Sequence, residues 1–83
     1  MTVTIYSTPT CPYCKMAKEF LTEKGVAYED VDVAADETRA QEMIDKSGQM
    51  GVPVIVVRKD DGSEQVIIGF DKEKLATEVG IAA

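Results

Sequence analysis

Apolar and polar residues alternate over Thr2-Val3-Thr4-Ile5-Tyr6, a period of two built from β-favouring side chains, and this predicts a strand. Ser7-Thr8-Pro9-Thr10 reads as a turn. Pro12 suits the first position of a helix, where a missing N–H costs nothing. Met16, Ala17, Phe20 and Leu21 then recur at helical spacing, with Lys15, Lys18, Glu19 and Lys24 on the opposite face, and Gly25 ends the helix. Val26 to Val33 predicts a second strand that closes on an acidic turn. Asp36 caps a second helix whose apolar side is Ala40, Met43 and Ile44, and Gly48 stops it. Pro53-Val54-Ile55-Val56-Val57 is continuously apolar, the pattern of a central strand buried on both faces. Asp60-Asp61-Gly62-Ser63 marks a hairpin, Glu64 to Ile68 returns antiparallel, and Asp71 caps a last helix with Leu75, Ala76 and Val79 inward.

The order is therefore β-α-β-α-β-β-α. The first βαβ unit requires a parallel pair with a right-handed crossover, and the second half adds an antiparallel hairpin. A four-stranded mixed sheet with helices on both faces is the compact solution, an α/β fold.

Eighty-three residues support one domain, spanning 1–83, with no repeat or linker. The net charge of −6 excludes the basic face that non-specific nucleic-acid binding needs. No segment approaches the roughly 20 apolar residues of a bilayer crossing. Met1 to Ile5 lacks the basic and long apolar stretches of a signal peptide, so a cytoplasmic setting is expected. Histidine is absent, which removes the usual general base, the usual partner of a hydrolytic cysteine and the commonest metal ligand.

The only cysteines form the run Cys11-Pro12-Tyr13-Cys14, where a strand hands over to a helix. Cys11, at the mouth of the helix, faces the unpaired N–H groups of the first turn and the positive end of the dipole, which favour negative charge on sulfur. Cys14 lies one turn on, on the same face and within bridging reach. The chemistry this predicts is attack by Cys11 to form a mixed disulfide, then resolution by Cys14. Pro12 rigidifies the turn and Tyr13 flanks the sulfur or is simply a surface residue. Lys15 and Lys18 either add positive potential or form a solvated face. A zinc or iron–sulfur site would need ligands from outside, because one chain offers two sulfurs and no imidazole. No resident metal is expected.

With Cys11-Pro12-Tyr13-Cys14 after the first strand, Gly51-Val52-Pro53 opening the third, and Gly69-Phe70-Asp71 after the fourth, the chain resembles a glutaredoxin along essentially its whole length. The resemblance implies a thioredoxin-like fold, a dithiol–disulfide oxidoreductase activity on protein disulfides or glutathione mixed disulfides, and no bound cofactor beyond glutathione as reductant or co-substrate. It implies a cis Val52–Pro53 bond beside the cysteines, with the Val52 backbone free to pair with an extended ligand. It also implies a binding site for the γ-glutamyl carboxylate at Gly69, Phe70 and Asp71, where free amides suit an anion. Asp71 is then a helix cap, an acceptor for the ligand's ammonium, or both.

Several positions depart from the family pattern. Thr8 stands where glutathione-dependent members often carry lysine, Ile68 replaces the first of two glycines, and Gly51 replaces threonine before Val52-Pro53. Gln49 takes the place of a residue that contacts the glycyl carboxylate. These departures weaken capture of an anionic tripeptide and leave thioredoxin reductase open as the electron source, with ribonucleotide reductase as a client. The aromatic, arginine-rich tail of the redoxins that serve that enzyme is missing, since Asp71-Lys72-Glu73-Lys74 follows Phe70. An iron–sulfur carrier is the alternative from another class, which Pro12 disfavours. A monomer is expected.

Overall fold

The run Val54-Ile55-Val56-Val57 is buried at every position because both faces of its strand are covered. In the computed structural model, which describes residues 1–80, this strand is β3 (Val54–Arg58), in a sheet of order β2-β1-β3-β4. The last three residues of the expected domain lie outside the described ones. β1 (Thr2–Ser7) runs parallel to β2 (Glu29–Asp32) and antiparallel to β3, and β4 (Glu64–Ile68) completes the hairpin with β3. The strands are joined by α1 (Pro12–Glu23) and α2 (Glu37–Ser47), and α3 (Lys72–Val79) follows β4.

Side chains on a strand point alternately to the two faces, and the sequence sorts them accordingly. Val3, Ile5, Ile55, Val57 and Ile67 meet Ala17, Phe20 and Leu21 of α1 and Leu75, Ala76 and Val79 of α3. Tyr6, Val31, Val54 and Val56 meet Met43 of α2 on the other face. The mixed sheet with helices on both sides is thus the expected one.

Helix ends follow the expected caps. Asp36 accepts a hydrogen bond from the Arg39 N–H at 3.1 Å, and Asp71 accepts one from Lys74 N–H at 3.1 Å. Gly48 takes a left-handed conformation with φ 74° as the chain leaves α2.

Three expectations need correction. The second strand is shorter than 26–33, because the Val26 N–H bonds back to the Leu21 carbonyl at 2.8 Å and so belongs to the end of α1. Pro53 lies outside β3: with no N–H it cannot donate to the ladder, and pairing begins at Val54. Met16 is not a core residue but 46% exposed. The inward stripe of α1 is Cys14, Ala17, Phe20 and Leu21, and Met16 lies about a third of a turn from its centre. Among the described residues no helix is long and apolar enough to cross a membrane.

Candidate active site at the start of the first helix

Antiparallel pairing of β1 with β3 and of β3 with β4 brings three loops to one end of the sheet. Tyr6 faces Val54, so the segment leaving β1 towards Cys11 runs beside the segment entering β3. Ile68 also faces Val54, and the Gly69 N–H donates to the Pro53 carbonyl at 2.9 Å. The dithiol, the Val52–Pro53 segment and the Gly69–Asp71 turn are therefore neighbours, although more than fifty residues separate the first from the last.

Cys11 is the N-cap of α1, in extended backbone conformation, with Pro12 in the first turn. The Thr8 carbonyl accepts from the Cys11 N–H at 3.3 Å and the Cys11 carbonyl accepts from the Lys15 N–H at 3.2 Å, which fixes the residue at both ends. Its sulfur accepts a hydrogen bond from the Cys14 N–H at 3.1 Å. That is the position of a capping oxygen, so an otherwise unpaired backbone donor stabilises negative charge on the sulfur.

Cys11 is partly exposed, whereas Cys14 is fully buried. Burial pushes the Cys14 thiol up to about 11, and its hydrogen bond with Cys11 and the charge there push the same way. The Thr8 backbone and the Lys18 ammonium oppose the shift without cancelling it. At neutral pH Cys14 is therefore protonated. Iodoacetamide at neutral pH is accordingly expected to label Cys11 and spare Cys14, and peptide mapping of the singly alkylated protein checks this. Preferential labelling of Cys14 would reverse the order of the two thiols.

Tyr13 is 60% exposed beside the pair, and Lys15 is exposed with no ion pair among the described residues. The Val52–Pro53 peptide bond is cis, as the resemblance implied. Among the described residues the N–H and C=O of Val52 make no hydrogen bond, and neither do the N–H groups of Phe70 and Asp71. The partly buried Phe70 ring packs against the core and meets Phe20 edge-on at 6.0 Å between centroids. The Asp71 carboxylate is used as the cap of α3.

Gln49 sits differently from expectation. Its Nε2 donates to the Gly51 carbonyl at 2.9 Å and its Oε1 accepts from the Gly51 N–H at 2.8 Å. Both ends of the amide are spent on the loop that leads to Pro53. Glycine at 51 leaves room for this, because a Cβ there would lie 2.8 Å from the Gln49 oxygen.

Beneath the dithiol lies an array that periodicity did not single out as part of the site. Ser7, the buried polar residue at the end of β1, donates to Asp30 Oδ1 at 2.7 Å. Lys18, for which positive potential and a solvated face were the two expectations, donates to Asp30 Oδ2 at 3.0 Å with its side chain 26% exposed. Burial raises the Asp30 carboxyl, but the bonds from Ser7 and Lys18 outweigh it and hold the group below its ordinary range. The signal in the chain was Ser7 itself, a hydroxyl where the alternation calls for a core residue. Among the described residues no group of three or more cysteines and carboxylates is placed to hold a metal ion.

Residues 3–61 match the family model for glutaredoxin. A glutaredoxin-like 8.6 kDa protein of the rubredoxin operon of Clostridium pasteurianum is 47% identical over 73 residues, covering 88% of this chain and 91% of that protein. Glutaredoxin 3 of Escherichia coli K12 is 40% identical over 55 residues, 66% of each chain. Among solved structures, a mutant of the thioredoxin-like protein BC3987 superposes with a TM-score of 0.85 at 33% identity, covering 98% of this chain and 97% of that one.

Proposed function

Since this chain belongs to the glutaredoxin family, we propose that it is a dithiol–disulfide oxidoreductase that reduces protein disulfides or glutathione mixed disulfides in a reducing cytoplasm. The observation that carries the reading is the sulfur of Cys11 at a helix start, bonded by the Cys14 N–H, with the Cys14 thiol sealed behind it.

The Cys11 thiolate attacks one sulfur of the substrate, forming a Cys11–substrate bond while the substrate S–S bond breaks and the departing sulfur takes the electron pair and a proton. Cys14 then attacks the Cys11 sulfur. The Cys11–Cys14 bond forms, the substrate leaves as its thiol, and the proton lost by Cys14 balances the one it gains. Once Cys11 is in the mixed disulfide its sulfur is neutral, so the Coulombic influence that raises the Cys14 thiol is absent at the step that needs it ionised. The substrate backbone lies along Val52 like an added strand, with Thr8, Tyr13, Lys15 and Pro53 around it. The amides of Phe70 and Asp71, following Gly69, receive a carboxylate.

Two molecules of glutathione restore the dithiol in the primary reading. A second reading, with thioredoxin reductase as electron source, is favoured by the engagement of Gln49 with Gly51, which removes a contact for the glycyl carboxylate. Paired kinetics on one disulfide substrate separate them, one assay driven by glutathione with its reductase and the other by thioredoxin reductase. Turnover in the first is the expected result. Turnover only in the second moves the chain to the other electron source, and turnover in neither rejects the oxidoreductase reading.

A further inference from the structure

We propose that Lys18, held in place by Asp30 and Ser7, stabilises the negative charge that develops on the Cys14 sulfur when the mixed disulfide is resolved. The inference rests on the reading of Cys11 as attacking and Cys14 as resolving thiol.

Lys18 is four residues beyond Cys14 on α1, one turn deeper along the same side of the helix. Its ammonium is partly withdrawn from water and fixed to Asp30 of β2 at 3.0 Å. Asp30 is in turn fixed by the buried hydroxyl of Ser7 at 2.7 Å. Ser7 immediately precedes Thr8, whose backbone also acts on the Cys14 sulfur. The three side chains come from β1, α1 and β2: the lysine is held by Asp30 of β2, and Ser7 of β1 fixes that carboxylate.

The electrostatics agree with this placement. The Lys18 charge lowers the proton affinity of Cys14, and Cys14 in turn raises that of Lys18. The lysine itself is held protonated, chiefly by its bond to Asp30. Cys11 sits one turn nearer the helix start, where backbone N–H groups already stabilise its charge. The buried sulfur has the greater need of a side-chain cation, because water cannot solvate its thiolate.

The step is the one already written. Cys14 gives up its proton, its electron pair attacks the Cys11 sulfur, the Cys11–substrate bond breaks, and the departing thiolate is protonated. Lys18 supplies charge only; it neither takes nor gives a proton. Asp30 and Ser7 are positioning residues for it.

The test uses a chromogenic aromatic disulfide, 5,5′-dithiobis(2-nitrobenzoate), mixed rapidly with the reduced protein. Capture by Cys11 releases one coloured thiolate and resolution by Cys14 releases the second, so the two steps appear as separate phases. Loss of the lysine charge by Lys18→Met removes an attraction that lowers the proton affinity of Cys14. Each tenfold fall in the ionised fraction is offset about threefold by the greater nucleophilicity of the more basic thiolate, so the net loss is at most about threefold. The second phase is expected to slow by up to that factor while the first keeps its rate, and Lys18→Arg is expected to restore it. Asp30→Asn keeps a hydrogen-bond acceptor for the lysine but removes the opposing charge, so it is expected to quicken the second phase. If Asp30→Asn slows that phase as much as Lys18→Met does, the ion pair is merely structural and the inference falls. An unchanged second phase in Lys18→Met also overturns it. Release of only one coloured thiolate per chain by the unaltered protein, however long the reaction runs, would instead reject the dithiol reading itself.

Discussion

Replacing Cys11 by serine is expected to abolish disulfide reduction, lowering kcat/KM by at least about a thousandfold, or about 4 kcal/mol of transition-state stabilisation. A hydroxyl stays protonated where a thiol ionises, and oxygen is a poor nucleophile towards a disulfide. The variant is informative because the fold should not suffer. Cys11 caps α1 by accepting from the Cys14 N–H, and serine is among the preferred residues at that position. The unfolding midpoint is therefore expected to hold or rise slightly while turnover disappears. Thermal unfolding and a coupled reductase assay on the same preparation check both halves. Turnover retained at a substantial fraction of the unaltered rate would remove Cys11 from the reaction.

Most of what positions this site could be read from periodicity and punctuation. The apolar run Val54-Ile55-Val56-Val57 announced a strand covered on both faces, and its central place brings the loops before β3 and after β4 to the same end of the sheet. Pro12 and the alternation of Thr2 to Tyr6 placed the dithiol at a strand-to-helix junction. The isomer of the Val52–Pro53 bond is a different matter, since no pattern of residue types encodes it; only the resemblance implied it.

What escaped the sequence depends on contacts between distant residues. For Lys18 the sequence left open positive potential near the dithiol or a solvated face, because a charged residue on the flank of a helix has solvent as its default partner. Its actual partner, Asp30, is twelve residues away, and the pair meets only because β2 lies beside β1 under α1. Met16 was misplaced by the opposite error, an apolar residue counted into the stripe although its angle carries it towards the surface. Gln49 was offered to a ligand only because the family resemblance puts a contact for the glycyl carboxylate at that place. The loop turns back within two residues and Gly51 takes both ends of the Gln49 amide. For Lys18 and Gln49 the residue type was legible and the competing partner was not.

Cys14→Ser is expected to separate capture from release. The donor that stabilises the Cys11 sulfur is the backbone N–H of residue 14, which the substitution leaves in place, so the first attack should proceed. Serine cannot displace the captured sulfur, and the reaction should stop as a covalent adduct of one substrate per chain. Turnover on a protein disulfide is expected to fall at least about a hundredfold, while added glutathione, attacking from solvent, releases part of the adduct. Burying a hydroxyl where the thiol was fully buried costs about 1–3 kcal/mol if it finds no partner, so a modest loss of stability should accompany the change. Intact mass under non-reducing conditions detects the adduct, and its disappearance in the Cys11→Ser, Cys14→Ser double variant assigns it to Cys11. Multiple turnovers without an adduct in Cys14→Ser would mean that some other thiol resolves the intermediate. Since Cys11 and Cys14 are the chain's only cysteines, that thiol would have to come from outside, and the buried Cys14 would need a different explanation.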